Sequence, residues 1–519
     1  MTLRWVANSG IDSATGDSMF VPWQTAGKVV ASAVTGDRIK FKRGDLWRDS
    51  ALAPIPTGVT LEDYGVGDLP DIDGYDLVPL TGWVSASPTN TWDQTWTASV
   101  ASPTSVDVNG VAFPKAVSKA ALVPGQFFHT GTTLSICLIG GAADMGAAGF
   151  LIEANGNRNA GFNPGGGKGN YLLRNLMFRG WLNSAATFGT PNAPSTLQGV
   201  LFRHCGTTTT GGILYLQNNN IAGFQILNCI WDENMADHFH TTDIPSGLMA
   251  YCDFRKVWGL VADCAEMATG AGNGSGGWEV HHCYNYIQPG SNTTKGLWAI
   301  VGAQTVQSFS MHDCIGDGGG YFASFGGSPV LNNYSFRALL HFNCTAPANV
   351  GSFALGCPND NTQIIDCISI NAAKTCVNLF TGVDHTNLQI LHCTLWGYGS
   401  RGISVGSTSD RMSGLVKNTI AWSPAAISNH VRFQDGVPAQ ALVSDYNLFG
   451  PDLVACIQYN TVNYNSMAAY QTATGQDAHS STNDPMLADP STRTPRAGES
   501  MDAFIARAMK AADLDPSSW

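Results

Sequence analysis

Charge is scarce in this chain. Asp, Glu, Lys and Arg supply 13% of its 519 residues, about half the usual share for a globular protein. No run of eighteen apolar residues occurs, which excludes a membrane-spanning helix. No long stretch is rich in Ala, Glu, Lys and Leu, which excludes a helical bundle. The 13 cysteines include no CxxC pair, so a zinc site has little support. Basic residues number 27 against 39 acidic ones, a net charge of -12 that argues against nucleic acid or an anionic membrane as partner. The opening MTLRWVANSGIDSATGD has no apolar h-region, so no secretory leader is expected.

What the chain does have is a repeat. A short pattern recurs: a few mostly apolar residues, a polar residue, Cys or Asn, then another apolar residue. It reads LLRNLMF around Asn175, VLFRHC at Cys205, FQILNCIW at Cys229, LMAYCDF at Cys252, WEVHHCYN at Cys283 and FSMHDCIG at Cys314. It continues as LLHFNCTA at Cys344, TQIIDCIS at Cys367, LQILHCTLW at Cys393, LVKNTIAW at Asn418 and LVSDYNLF at Asp445. Successive anchors lie 23–31 residues apart. A second short alternating segment follows most of them, such as HFHTT after Cys229 and GLWAIVG after Cys283. Gly, Asn, Asp, Ser and Pro clusters separate the segments.

Strands at this spacing with no helices between them predict a right-handed parallel β-helix. Propeller blades are longer, about 40–50 residues of four strands each, and do not fit. The reading puts all eleven anchors in one inward column of small, soft side chains. Stacked side chains about 4.8 Å apart would strain a disulfide, so the anchor cysteines are expected to be unbridged.

The ends carry a family resemblance. Residues 5–74 run WVANSGIDSATGDSMFVPWQT, GDRIKFKRGDLWRDS and TGVTLEDYGVGDLPDIDG, and 464–490 run YNSMAAYQTATGQDAHSSTNDPMLADP. These segments resemble the opening and closing segments of right-handed parallel β-helix repeat proteins of the pectate-lyase-like superfamily. That fold hosts lyases, hydrolases, epimerases and non-catalytic binders, so it implies little about activity. The expected class is all-β: a right-handed parallel β-helix with an inserted small β-sandwich and a short C-terminal helix. The expected organisation is a cap with first coils at 1–79, the insertion at 80–137, the β-helix at 138–450 and a C-terminal cap at 451–519. The terminal helix is expected within 499–519, from Met501, Phe504, Ile505, Ala508 and Ala512 at helical spacing. Trp83, Trp92 and Trp96 in the insertion suit an aromatic core better than sugar stacking.

Chemistry concentrates on two neighbouring coils. IWDENMADHFHTTD follows Cys229 and DFRKVWGLVADCAEM follows Cys252. Counted from their anchors, His240 and Asp263 share one offset, and Asp243 and Glu266 share another. Equal offsets on successive coils place side chains about one coil apart. Asp243, Asp263, Glu266 and His240 are therefore the candidate catalytic residues. Arg255, Lys256, Asp237 and His238 are the candidate substrate-binding residues. Paired carboxylates cleave a glycosidic bond as acid and nucleophile or base. His240 or Lys256 would instead abstract the C5 proton of a uronic acid, with Arg255 neutralising its carboxylate, in a lyase. Trp231, Trp258 and Trp298 would stack on sugar if they face outward. Polar outer faces and turn-capping Asp residues are the plain alternative. Other clusters, at His281–His282, at His312–Asp313 and at Asn359–Asn361, read as strand edges and turns. No metal and no cofactor is expected.

The missing leader, free thiols and Gly/Thr/Asn/Ser-rich coils point to a phage tailspike- or fibre-like virion protein, assembled in a host cytoplasm. Its partners would be a bacterial surface polysaccharide, other virion proteins and two further copies in a homotrimer, with neither nucleic acid nor membrane insertion. The alternatives are an extracellular bacterial polysaccharide lyase or glycoside hydrolase, and a structural virion decoration. Any enzyme activity would be that of a polysaccharide depolymerase.

Overall fold

The computed structural model describes residues 2–482 apart from 49, 97–101, 141–144, 146–148, 156–157, 207–211, 218–221, 235–236, 243, 256–263, 270–276, 288–295, 297, 303–305, 328–330, 345–350, 357–358, 380–383, 406–411, 424–428, 434–441 and 451–455. The chain is an all-β, right-handed parallel β-helix with added antiparallel sheets and a short helix toward its C-terminal end. Two compact units are distinguished, Met1–Ile244 with Asp253–Glu266, and Pro245–Cys252 with Met267–Trp519.

A coil of either unit is three short strands. In the first unit Thr196–Gln198, Leu201–Arg203 and Gly212–Gln217 form one coil; Phe224–Leu227, Ile230–Asp232 and Asp237–Thr242 form the next. The register sets Leu197 beside Ile226, Phe202 beside Trp231 and Leu214 beside Phe239. In the second unit Ile364, Ser369 and Val377 likewise lie beside Ile390, Leu395 and Ile403. Alternate side chains point inward, so apolar positions of period two fill the core. Phe178, Phe202, Trp231 and Phe254 stack inside the first unit at centroid distances of 6.0, 5.2 and 4.5 Å. Trp231 and Trp298 are thus core residues, 0% and 2% exposed, and cannot stack on sugar. Trp258 lies outside the described residues.

The corner between the first and second strands explains the repeat. Its first residue has positive φ, 54° at Asn228, 53° at His282 and 56° at Asp366. Asn and Asp tolerate that left-handed region best after Gly. The second corner residue turns inward and meets the carbonyl two residues back. Cys229, Cys367 and Cys393 donate S–H to Leu227, Ile365 and Leu391 at 3.4, 3.3 and 3.3 Å. Thr419 does the same to Lys417 with its hydroxyl, at 3.2 Å. A small side chain with one donor suits this slot.

The eleven anchors do not form one column. Ladder hydrogen bonds through the slot's carbonyls connect Leu176, Val200 and Cys229 in the first unit. In the second they connect Cys252, Cys283, Cys314, Leu339, Cys367, Cys393 and Thr419. Cys205 and Cys344 instead follow the second strand of their coils, after His204 and Asn343 at φ 52° and 54°. Asn175 and Asn418 are the positive-φ residues just before the slot, and Asp445 ends a strand. Both corners use the same local device, so a local pattern could not separate them. Twelve cysteines are described, each a buried free thiol.

The insertion adds two four-stranded sheets, one of Asp76–Leu77, Val106–Val108, Val111–Phe113 and Ile152–Ala154, the other of Val84–Ala86, Thr91–Thr95, Gln126–Thr130 and Thr133–Cys137. They share an apolar core that includes Trp96, Phe127, Leu134 and Ile136, with Trp83 and Trp92 packed against it. Charge ties the insertion to the coils. Arg179 reaches Asp73 and Glu153, both at 2.8 Å, and Arg48 pairs with the same two carboxylates. His204 sits between Asp107 and Glu233, 2.9 Å from each.

Thr25 caps the helix Ala26–Ser32 in the opening segment by accepting from Lys28 N–H at 3.0 Å. In the closing segment Ser466 caps the helix Met467–Thr474, which ends on Gly475 at φ 69°. Buried Asp477 accepts from Asn447 and Ser480 at 2.9 and 2.6 Å, and His479 meets Asp445 at 2.9 Å. These bonds hold the segment on the last coil, covering an edge that would otherwise stay unpaired. The helix expected within 499–519 lies outside the described residues.

Candidate functional site

Three groups meet on the outer face of the third strands of the first unit. In Asp237–Thr242 the side chains of Asp237, His240 and Thr242 turn outward, whereas His238, Phe239 and Thr241 are buried. Phe239 N–H donates to Cys264 C=O at 3.1 Å. In a parallel ladder that sets Phe239 level with Ala265, and His240 level with Glu266. His240 Nδ1 lies 3.7 Å from an Asp237 carboxylate oxygen and 4.0 Å from one of Glu266. One donor atom from each of the three falls within 4.8 Å of the others.

The electrostatics of the trio are uneven. Side-chain exposure is 12% for Asp237, 17% for His240 and 21% for Glu266, so all three are only partly hydrated. His240 Nδ1 makes no hydrogen bond among the described residues, and Nε2 contacts the Thr242 hydroxyl at 3.4 Å. Tyr215 lies level with His240 on the preceding coil and meets its ring edge-on, at 5.1 Å between centroids. Gly212 opposite Asp237 is required here: a Cβ would come within 2.5 Å of His240 Cβ. Two carboxylates flanking an imidazole can move protons to and from a bound molecule, and the same donor spacing suits a divalent cation.

The expected alignment needs correction. Glu266 lies level with His240. The chain spends 14 residues from Cys252 to Glu266 but 11 from Cys229 to His240. Equal counting from the anchors therefore slipped by the length of one loop. Asp243, Lys256 and Asp263 lie outside the described residues. Arg255 is on the second strand of its coil, level with Asp232 and paired with Asp253, so it is not on the face of the trio. His238 is overturned as a substrate-binding residue. It is 0% exposed and stacks on Phe254 at 6.0 Å between centroids. Burial pushes its pKa down to about 3, which keeps the ring neutral. Tyr215 was missed because Cys205, its nearest anchor, belongs to the other corner.

The remaining clusters divide. Asn333, Asn361 and Asn387 form a side-chain ladder with bonds of 3.1 and 2.6 Å, a corner device. His281, His282 and His312 pack together rather than standing apart as strand edges.

No family model matches the chain, and no curated protein sequence matches it. Among solved structures it is similar to XylC in complex with xylose, at 10% identity over 93% of this chain and 87% of that one, TM-score 0.48. It is similar to a glycoside hydrolase at 10% identity over 92% and 99% of the two chains, TM-score 0.42. A lacto-N-biosidase from Eubacterium ramulus follows at 9% identity over 88% and 68%, TM-score 0.36. Likeness at this distance says nothing of activity. No helix of the described residues is long and apolar enough to cross a membrane. The architecture itself is read from the strands and their register, a right-handed parallel β-helix.

Proposed function

We propose that this β-helix binds a polysaccharide along its outer face and cleaves it at Asp237, His240 and Glu266. The observation that carries the reading is the approach of the two carboxylates, whose donor oxygens lie within 4.8 Å of one another and of the imidazole between them. Retaining glycoside hydrolysis uses carboxyl groups about 5–5.5 Å apart, and inversion needs about 6.5–9.5 Å to admit water. The spacing supports retention. Asp237, the less exposed, is assigned as nucleophile, attacking the anomeric carbon as the leaving oxygen departs. Glu266, the more exposed, protonates that oxygen and then draws a proton from the incoming water. His240 stands 3.7 and 4.0 Å from the two carboxylates, and Tyr215 offers an aromatic surface beside them. All these groups come from one chain, so the reading requires neither a virion nor a trimer. It holds equally for an extracellular glycoside hydrolase and for a tailspike.

The test is a panel of bacterial surface polysaccharides, followed by reducing-end release and by absorbance near 235 nm. Asp237→Asn and Glu266→Gln should each lower reducing-end release by at least about 100-fold. Melting temperatures should stay within a few degrees of the native value. Absorbance near 235 nm would mark an unsaturated uronate and replace the hydrolase with a lyase. Binding without either product would overturn cleavage.

A further inference from the structure

The second unit holds a histidine cluster that the proposed hydrolysis does not use. His281 is the last outward residue of the strand Trp278–His281, and His282 follows at φ 53° in the corner. The left-handed corner turns the two rings toward one another at 87°, with Nδ1 of His281 2.8 Å from Nδ1 of His282. Each ring is held from its other side. His312, level with His281 on the next coil, stacks on it at 5.1 Å and 15°. Tyr251 stacks on His282 at 4.9 Å and 28°. His312 is itself fixed by Asp313 at 2.7 Å and Glu279 at 3.3 Å.

We propose that His281 and His282 chelate a transition-metal ion of tetragonal preference, of which Cu(II) is the type, through their two Nδ1 atoms. The separation fits one coordination geometry. Two nitrogens each about 2.0 Å from a metal are about 2.8 Å apart at a right angle and about 3.3 Å apart at a tetrahedral one. The observed 2.8 Å, which a hydrogen bond between the two rings sets, already falls at the right-angle value. Imidazole is a ligand that Cu(II) and Ni(II) accept in such planes. Without metal, one Nδ1–H donates to the other Nδ1. Ligation needs both lone pairs, so that hydrogen moves to Nε2 of the same ring and neither ring changes charge. Rings already fixed by stacking lose little further freedom on binding. Asp313 occupies the same corner position one coil after His282 and adds negative charge beside the cation.

The full-length protein, stripped with chelator, would be titrated with Cu(II) and followed by calorimetry and electron paramagnetic resonance. One tight equivalent is expected, with an axial spectrum and hyperfine coupling to imidazole nitrogen. His281→Gln and His282→Asn should each weaken it at least about 10-fold. Asn is chosen at 282 because Asn228 occupies the same corner position with φ 54°. Circular dichroism and melting without metal should match the native protein. His240→Gln should leave the tight equivalent in place. Undiminished binding by the His281→Gln/His282→Asn double variant would overturn the proposal. So would a tight equivalent lost only with His240, which would place the ion in the Asp237–His240–Glu266 trio.

Discussion

The smallest unit of this fold is a pair of residues, one in the left-handed region and one turned inward. Val200 and Leu339 fill the inward position without a donor; elsewhere a small side chain there satisfies a carbonyl two positions back. Cys and Thr both do this, at Cys393 and Thr419 on successive coils. Cys393→Thr should therefore unfold in urea within about 1 kcal/mol of native, and Cys393→Ala should lose about 1–2 kcal/mol from the missing bond and volume. The left-handed partner is poorly suited at Ala338, whose φ is 50°. Ala338→Asn should raise stability by up to about 1 kcal/mol in the same measurement. These pairs were plain in the sequence because each is local. Which corner a pair occupies was not, since Cys205 and Cys229 have similar neighbours but lie after different strands.

At the scale of the strand, period-two alternation gave the inward and outward faces of most segments. It failed in DHFHTT, where His238 and Phe239 are adjacent and both buried. The first three residues of Ser184–Gly189 and of Gly212–Gln217 are likewise buried without alternation, and at this end of the strand His238 falls inside. Neither of its ring nitrogens has a hydrogen-bond partner among the described residues. Its folded pKa, about 3, lies below the usual value for histidine. The unfolded chain therefore takes up a proton that the folded one refuses, and stability falls as pH drops from about 6.5 toward 3. His238→Leu should remove that loss, so native and variant melting temperatures should diverge as pH falls from 7 to 4. The candidate site was half legible for a related reason. His240 and Glu266 stood out as chemistry-bearing residues, but loop length set their pairing, and the anchors could not reveal it.

At the scale of the whole molecule, the sequence held the architecture because a solenoid repeats its evidence on every coil. It could not show how the insertion is fastened, since that depends on residues far apart in the chain. Asp71 beside Asp73 is pushed up to about 7 by burial and by its neighbour's charge. Burial alone would lower the His204 pKa, but hydrogen bonds to Asp107 and Glu233 hold it above the ordinary value. Both groups keep protons in the folded state that the unfolded state releases. Stability from Asp71 is present below about pH 4 and lost as pH rises toward 7; that from His204 is lost above the ordinary histidine pKa. Asp71→Asn should therefore gain on the native protein between pH 5 and 8 in melting temperature. His204→Gln should be less stable at pH 5, by about 3 kcal/mol if the bridge between Asp107 and Glu233 breaks, and should show a flatter profile.

The inward slot also makes length a countable property. Cys367 and Cys393 occupy the same position on successive coils, 26 residues apart. Excising residues 367–392 would join Asp366 directly to Cys393. The left-handed residue, the inward thiol and the next strand would follow in their native order. Such a deletion subtracts one rung without changing the pattern, as dropping a verse leaves a song's metre intact. A chain shortened in this way should still fold cooperatively and keep its β-sheet circular dichroism. Excising thirteen residues, half a rung, should leave an aggregate.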